Sequence, residues 1–182
     1  MYIKGENIMS QIRVRIESEK GIVLSESQKR EIIRALNIVP LKIIEYCKKN
    51  CRIQIVKYIA SELYGHAISQ YDSERKVIKI CYHYLEDENI EQFANILLHE
   101  LGHMIDYSYG HISIYNTISE TAQFKEITNI DWRLLWLGEE YFRTPQEHFA
   151  ESFALYVLDP EKLRLWTDET YDFIDAYVKT II

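Results

Sequence analysis

The chain has 182 residues, of which 47% are hydrophobic and 13% aromatic, and its formal net charge is −7. This length and composition predict an ordered globular domain with a sizeable core. The negative charge and the lack of a basic stripe exclude the usual footprint of a nucleic-acid-binding protein. No apolar run is long enough to span a membrane, and the first seven residues lack the apolar core of a signal peptide. We therefore leave the location open between the cytoplasm, export by another route, and a leader that has been removed.

The first half of the chain mixes strand and helix patterns. Residues 12–16 and 52–56 alternate apolar and polar side chains, which is typical of half-buried strands. Residues 25–36 predict a helix, and Pro40 ends it and opens a second. Residues 67–84 predict a hairpin with a polar turn at 72–75. The pattern at 58–65 fits a short helix or a loop.

The second half is predicted to be helical. The predicted helices cover 87–107, 119–128, 131–137, 144–158 and 170–181, with Gly110 near the end of the first and Pro160 ending the fourth. Strands and helices followed by helices alone indicate an α+β fold. We predict one domain over residues 1–182, with a mixed half at 1–86 and a helical half at 87–182.

A metal-binding motif lies inside the first of these helices. The run is His99-Glu100-Leu101-Gly102-His103, and apolar side chains surround it on nearly all faces of the helix. Residues i and i+4 share one face of a helix, so the two imidazoles can meet at one Zn²⁺ ion. Glu100 points elsewhere and can serve as a general base toward a metal-activated water. Buried histidines need partners, which a metal ion supplies.

Two candidates for a third ligand lie near the motif. Asp106 is on the correct face, but it is roughly 10 Å along the helix axis from His99, because a helix rises about 1.5 Å per residue. We therefore predict an outer-shell or structural role for Asp106. His111 does not fit the metzincin spacing, since Asp106 and Tyr109 occupy the positions that would need Gly and His.

Two further candidates lie on the later helix. Glu147 and Glu151 are also spaced i, i+4 and share one face. Thr144 and Glu147 alternatively form a capping box with Pro145 at the first helical position. In that case Glu151 would be the ligand. Spacing alone leaves these alternatives open, and it indicates a packing or rim position for His148.

The three cysteines do not form a disulfide framework. Cys47, Cys51 and Cys81 are odd in number and lack a recognisable spacing. Cys47 and Cys51 are separated by three residues at a predicted helix end. They are either a metal or redox pair or two small, half-buried apolar side chains, and we favour the second interpretation, because a free cysteine usually behaves as a small apolar residue.

The motifs together resemble a known family. The run from His99 to Asp106, the segment from Tyr141 to Glu151 with its Thr-Pro-Gln-Glu core, and the closing Tyr-Asp-Phe-Ile resemble the catalytic domain of anthrax lethal factor and, more closely, the secreted Pro-Pro endopeptidases. The likeness extends from about residue 76 to the C-terminus. It implies a zincin-like metallopeptidase fold, in which a small mixed sheet has an edge strand beside a buried His-Glu-x-x-His helix.

The resemblance also implies roles for individual residues. It implies a zinc endopeptidase with Glu147 as the third ligand, Glu151 as an outer carboxylate that orients a zinc histidine, and the Tyr141 hydroxyl as a donor to the oxyanion. Family members of the Pro-Pro endopeptidase type are exported.

These observations lead to one hypothesis and one alternative. The hypothesis is peptide hydrolysis with zinc on His99, His103 and Glu147, Glu100 as the base, and a peptide or protein substrate extended along an edge strand at residues 77–84. The alternative is a non-catalytic, toxin-type binding module of the same fold with a structural zinc. Gly102 is either a small core residue or a point of close approach for a neighbouring element.

Overall fold

The structure is a computed structural model that describes residues 14–61, 65–85, 91–109, 117–135 and 140–181. The chain divides into two compact units, residues 1–100 and 101–182. The boundary falls inside a continuous helix, Glu91–Tyr109. None of the described helices has both the length and the apolar character needed to cross a membrane. The prediction of a single domain stays a prediction.

A mixed four-stranded sheet forms the centre of the first unit. Its strands are β1 (Ile16–Ser18), β2 (Arg52–Val56), β5 (Ser69–Asp72) and β6 (Val77–Cys81), in the order β1-β2-β6-β5. The contacts β1–β2 and β2–β6 are parallel, and β5 pairs with β6 in antiparallel fashion. The central strands β2 and β6 share one fully buried apolar face. Its members are Ile53, Ile55, Ile78 and Ile80.

The predicted hairpin is present, but the predicted edge strand is wrong. Strand β6 lies between β2 and β5, so both of its backbone edges are used by neighbours. The strand also ends at Cys81, and residues Tyr82–Leu85 form a 3₁₀ helix. Among the described strands of this sheet, β5 is the outer member on that side. The apolar side chains of residues 77–81 belong to a central strand, and central strands bury more side chains than edge strands do.

Two helices and a small hairpin complete the first unit. Helix α1 (Glu26–Ile38) begins at Ser25, whose side chain forms a capping box with Gln28. Helix α2 (Leu41–Asn50) follows Pro40, as predicted. The ambiguous segment near residue 60 contains two short antiparallel strands, β3 (Ala60–Ser61) and β4 (Gly65–His66).

The helix that carries the metal motif, α3, is Glu91–Tyr109. Its predicted start at residue 87 and the end near Gly110 lie outside the described residues. The helix contains no proline, and its three leucines, two glutamates, one glutamine and one methionine are good helix formers. Most of the described apolar side chains of this helix are buried.

The second unit is helical, with two differences from the sequence prediction. One helix, α4 (Ala122–Leu135), replaces the two predicted at 119–128 and 131–137, because no glycine or proline interrupts the segment. Helix α5 (Pro145–Leu158) ends before Pro160 as predicted, but Pro160 also begins another helix, α6 (Pro160–Trp166). Helix α7 (Asp168–Ile181) closes the chain.

The core of the second unit is aromatic. The Phe124 ring lies 5.3 Å from Phe149 and 4.8 Å from Phe173, centroid to centroid. These contacts join α4, α5 and α7. Such ring pairs add to the apolar burial that stabilises a helical core. The packing fixes the position of α5, which carries the candidate third ligand.

Candidate metal centre

Helix α3 places two histidines one turn apart on the same face. His99 is 9% exposed and His103 is also shielded, with a side-chain exposure of 13%. Because the helix is apolar on most of its surface, its polar side chains are drawn into a protein interior. Buried imidazoles require polar partners at their ring nitrogens.

Helix α5 brings a carboxylate to this face. Glu147 Oε2 lies 3.4 Å from His103 Nε2. Thr144 precedes the helix as its N-cap, but its side chain makes no capping hydrogen bond. The capping-box interpretation of Thr144 and Glu147 is therefore wrong. Pro145 occupies the first helical position, which it favours, and the helix begins there without a side-chain cap.

One cluster among the described residues has donors suited to a metal ion. It consists of His99, His103 and Glu147, each of which offers one donor atom, and these atoms all lie within 4.8 Å of one another. Two imidazole nitrogens and one carboxylate oxygen are the donor set of several catalytic zinc sites. Three protein donors leave a coordination position for water or substrate. The predicted outer carboxylate, Glu151, is not part of the cluster.

Glu100 directly follows His99 in the sequence, but it is not one of the donors of the cluster. The side chain is 3% exposed, and the Ser69 hydroxyl donates to its Oε1 atom at 2.6 Å. Its other oxygen, Oε2, is buried and has no hydrogen-bond partner among the described residues. An orphaned carboxylate oxygen is costly to bury. It is the arrangement expected of a group that awaits a water molecule or a substrate.

Sequence reasoning did not find Ser69. It is the first residue of β5, and its register partner on β6 is Ile80. A serine in a polar, half-buried strand carries no signal of its own. Only the outer position of β5 in the described sheet and the contact with Glu100 distinguish it.

Gly102 permits a close contact between α3 and α5. A Cβ atom at this position would lie 2.7 Å from Ala150 Cα and 2.9 Å from the Ala150 carbonyl oxygen. Both of those atoms belong to a helix backbone, which cannot yield as a flexible side chain can. Of the two interpretations of Gly102, the structure supports close approach. Small residues at a crossing allow helix axes to come near each other.

Asp106 connects α3 to the segment that leads into α4. Its two oxygens accept hydrogen bonds from the backbone N–H and the hydroxyl of Ser119, both at 2.7 Å. Burial raises the pKa of the Asp106 carboxyl to about 6, while the hydrogen bonds from Ser119 and the nearby His103 act in the opposite direction. Asp106 thus has clear structural contacts. Its predicted outer-shell role stays a prediction.

A chain of buried polar side chains links α5 to α7 and α4. The Thr170 hydroxyl donates to Asp131 Oδ2 at 2.7 Å, and His148 Nε2 lies 3.5 Å from the same hydroxyl oxygen. Because the hydroxyl hydrogen is used on Asp131, we assign the ring hydrogen to His148 Nε2. Burial lowers the pKa of His148 to about 4, so the ring is neutral at physiological pH. His148 is a packing residue, in line with its predicted position.

Tyr141, Glu151 and His111 are the remaining predicted residues. Tyr141 lies on a 3₁₀ helix (Glu140–Arg143) that precedes α5. The residue is 45% exposed, and its ring centroid lies 5.0 Å from that of Phe142. Glu151 is half-buried one turn after Glu147. His111 lies outside the described residues.

The chain matches a known protein family over most of its length. Residues 20–177 match the family described as "Anthrax toxin lethal factor, N- and C-terminal domain". The chain belongs to this family. The match includes both helices of the candidate metal centre. It begins at residue 20, whereas the resemblance seen in the sequence begins at about residue 76.

Two individual proteins are similar to this chain, one in sequence and one in fold. A Pro-Pro endopeptidase from Clostridioides difficile (strain 630) is 40% identical over 88 residues, which cover 47% of this chain and 38% of that protein. The structure of Pro-Pro endopeptidase PPEP-2 from Paenibacillus alvei aligns with a TM-score of 0.64 and 20% identity, over 89% of this chain and 95% of the other. The expected α+β, zincin-like fold is confirmed.

The first prediction concerns Gly102. Replacing it with Ala normally stabilises a helix interior by about 1 kcal/mol. Here we expect Gly102→Ala to destabilise the protein by about 1–3 kcal/mol, because the new methyl group overlaps the α5 backbone. Urea unfolding measures this change. Gln92→Ala, at an exposed position of α3, is the control. A Gly102→Ala variant as stable as the control would contradict the close approach.

The second prediction concerns the pH dependence of stability in the metal-free protein. The Asp106 pKa is about 6 when folded, against a reference of 3.8. Between these values only the folded state keeps the proton, so the wild-type protein loses stability as pH rises from about 4 to 6. Asp106→Asn removes this loss. We expect its free energy of unfolding, relative to wild type, to increase by up to about 3 kcal/mol across this range. A difference that does not change with pH would contradict the assignment.

Proposed function

We propose that the protein is a zinc-dependent endopeptidase that hydrolyses peptide bonds through a metal-activated water. One observation carries the proposal: the donor atoms of His99, His103 and Glu147 lie within 4.8 Å of one another, with the buried carboxylate of Glu100 next to His99 in sequence. Membership of the lethal factor family and the likeness to a Pro-Pro endopeptidase support it.

The donor set fits zinc and an open site. His99, His103 and Glu147 match the two-histidine, one-glutamate set of zinc peptidases. Structural zinc sites usually have four protein ligands, often cysteines, and the described cluster has three donors and no cysteine. This difference favours the peptidase over the alternative of a binding module with a structural zinc. When bound, zinc acts as a Lewis acid toward a peptide carbonyl and makes a water molecule more acidic.

The surrounding side chains divide the remaining work. Glu100 accepts the proton of the attacking water at Oε2 and returns it to the leaving amine. Ser69 holds the other oxygen of Glu100 by its 2.6 Å hydrogen bond, so the free oxygen has a fixed direction. Tyr141 donates its hydroxyl hydrogen to the oxyanion. Asp106 and Glu151 act as outer carboxylates.

The substrate extends along β5. This strand pairs with β6 through one edge, and among the described strands nothing pairs with the other. An extended peptide can add to such an edge through backbone hydrogen bonds. Ser69 belongs to β5 and contacts Glu100, so a peptide on this edge passes beside the proposed base. Because the related protein from Clostridioides difficile is named a Pro-Pro endopeptidase, peptides with proline-flanked bonds are the first class to test.

The third prediction tests the activity itself. We expect the zinc-loaded protein to cleave members of a peptide library, and a chelator to abolish cleavage. Glu100→Gln should keep zinc and lose a factor of roughly 100 to 10,000 in turnover, because it removes the base but no ligand. Glu126→Gln, an exposed glutamate on α4, is the control. One equivalent of zinc without cleavage of any peptide would favour the binding module.

The fourth prediction separates the two glutamates of α5. Glu147→Ala should weaken zinc binding by at least tenfold, because it removes one of three donors. Glu151→Ala removes a carboxylate one turn away on the same helix and should bind zinc more tightly than Glu147→Ala. Competition with a chromogenic chelator measures both affinities. The reverse order would make Glu151 the ligand.

The fifth prediction concerns Ser69. Ser69→Ala should lower kcat roughly 10-fold with little change in KM, since a hydrogen bond to a carboxylate is lost at the base. Zinc content should not change. Ser69→Thr retains a hydroxyl and should restore most of the activity. If the Ala and Thr variants both matched wild type, Ser69 would have no part in orienting Glu100.

A further inference from the structure

Two cysteines at the end of α2 lie in contact with each other. Cys47 Sγ and Cys51 Sγ are 3.1 Å apart, and both residues are free thiols. Cys47 belongs to the last turns of α2, and Cys51 is its C-cap, with a backbone N–H that donates to the Cys47 carbonyl at 2.8 Å. The pair belongs to the first unit and shares no residue with the candidate metal centre.

We propose that Cys47 and Cys51 form a reversible dithiol–disulfide site. In a helical turn, Cα atoms four residues apart are separated by about 6 Å, which falls within the range that a disulfide spans. The two sulfurs already touch, so closing the bond needs a small side-chain movement. The i, i+4 spacing that brings them together is the same spacing that places two ligands on α3.

The two thiols differ in access, which assigns their order of reaction. Cys51 is half-buried, whereas Cys47 is fully buried. The Cys51 thiolate therefore attacks a low-molecular-weight disulfide first, forming a mixed disulfide and releasing one small thiol. The Cys47 thiolate then attacks Cys51 Sγ and displaces the second small thiol. Each cysteine loses its proton, and two electrons pass to the small disulfide, which leaves as two thiols.

The surroundings of Cys51 keep its thiol mainly protonated. The hydrogen bond with Cys47, burial, and the charge of the neighbouring sulfur raise the pKa of the Cys51 thiol. Tyr71 on β5 lies near the two cysteines. Burial raises the pKa of Tyr71 to about 12, and Cys51 and, to a smaller extent, Tyr46, Cys47 and Asp72 act in the same direction. A mainly protonated thiol reacts slowly, which suits a site that responds to sustained oxidising conditions.

The site lies at the opposite end of the sheet from Ser69. Cys51 immediately precedes Arg52, which is in register with Val77 on β6 and, through it, with Asp72 on β5. Ser69 is in register with Ile80. Oxidation therefore locks the junction between α2 and β2, and we expect the contact between Ser69 and Glu100 to remain.

The experiment uses the full chain with its metal, incubated with oxidised glutathione at mildly alkaline pH. We expect two thiols to disappear and Cys81 to stay free, because its buried sulfur donates to the Lys57 carbonyl. Trypsin cleaves after Lys48 and Lys49, between the two cysteines. A non-reducing tryptic map should therefore contain two peptides joined by a disulfide, which separate on reduction.

Variants test the order of the two steps. Cys47→Ser should trap a stable glutathione adduct on Cys51, since the resolving thiol is absent, and Cys51→Ser should resist modification. Cys81→Ser is the matched control and should form the Cys47–Cys51 bond like wild type. Three free thiols after incubation of the wild-type protein, or an adduct on Cys51 that never resolves, would overturn the proposal. The wild-type map decides the question even if a variant fails to fold. None of these outcomes depends on peptide cleavage.

Discussion

The close contact between α3 and α5 is the constraint on which the metal centre depends. At Gly102 the backbone of α5 comes so near that a single methyl group would overlap Ala150. His103 follows Gly102 directly, and Glu147 precedes Ala150 by about one turn, so the contact brings these two side chains to 3.4 Å. A larger residue at the crossing would separate the helices and with them the donors. The geometry of the site is therefore set by packing between backbones, and the ligands occupy the positions that this packing makes available.

Most buried polar side chains among the described residues of the second unit have hydrogen-bond partners. Asp106 accepts two hydrogen bonds from Ser119, and Asp131, Thr170 and His148 form a connected chain. Buried polar groups with partners cost little, whereas a group without one is expensive. Glu100 is the contrast, with one oxygen held by Ser69 and the other without a hydrogen-bond partner among the described residues. Among the same residues, Ser152 and Thr167 also have an unsatisfied hydroxyl oxygen, but in Glu100 the atom is a carboxylate oxygen next to the metal motif, which suits the proposed role as a base.

Sequence patterns predicted the parts of this structure that local chemistry controls. The helix with His99 and His103 and the start of α5 at Pro145 follow from apolar periodicity and from the preference of proline for the first helical position. The choice between Glu147 and Glu151 could not be made from spacing, because both share one face and only the helix crossing decides which one meets His103. The order of strands was also beyond the pattern. An apolar run at 77–81 fits an edge or a centre, and long-range pairing placed it in the centre.

The pairing of two motifs, one on α3 and one on α5, carries the functional assignment, and the position of one ion tests it most directly. We expect crystals of the zinc-loaded protein to give a single anomalous peak at the zinc absorption edge. It should lie about 2.0–2.2 Å from one nitrogen each of His99 and His103 and one oxygen of Glu147, with Glu100 outside the coordination shell. A peak at any other set of side chains, or none at these three residues, would contradict the assignment.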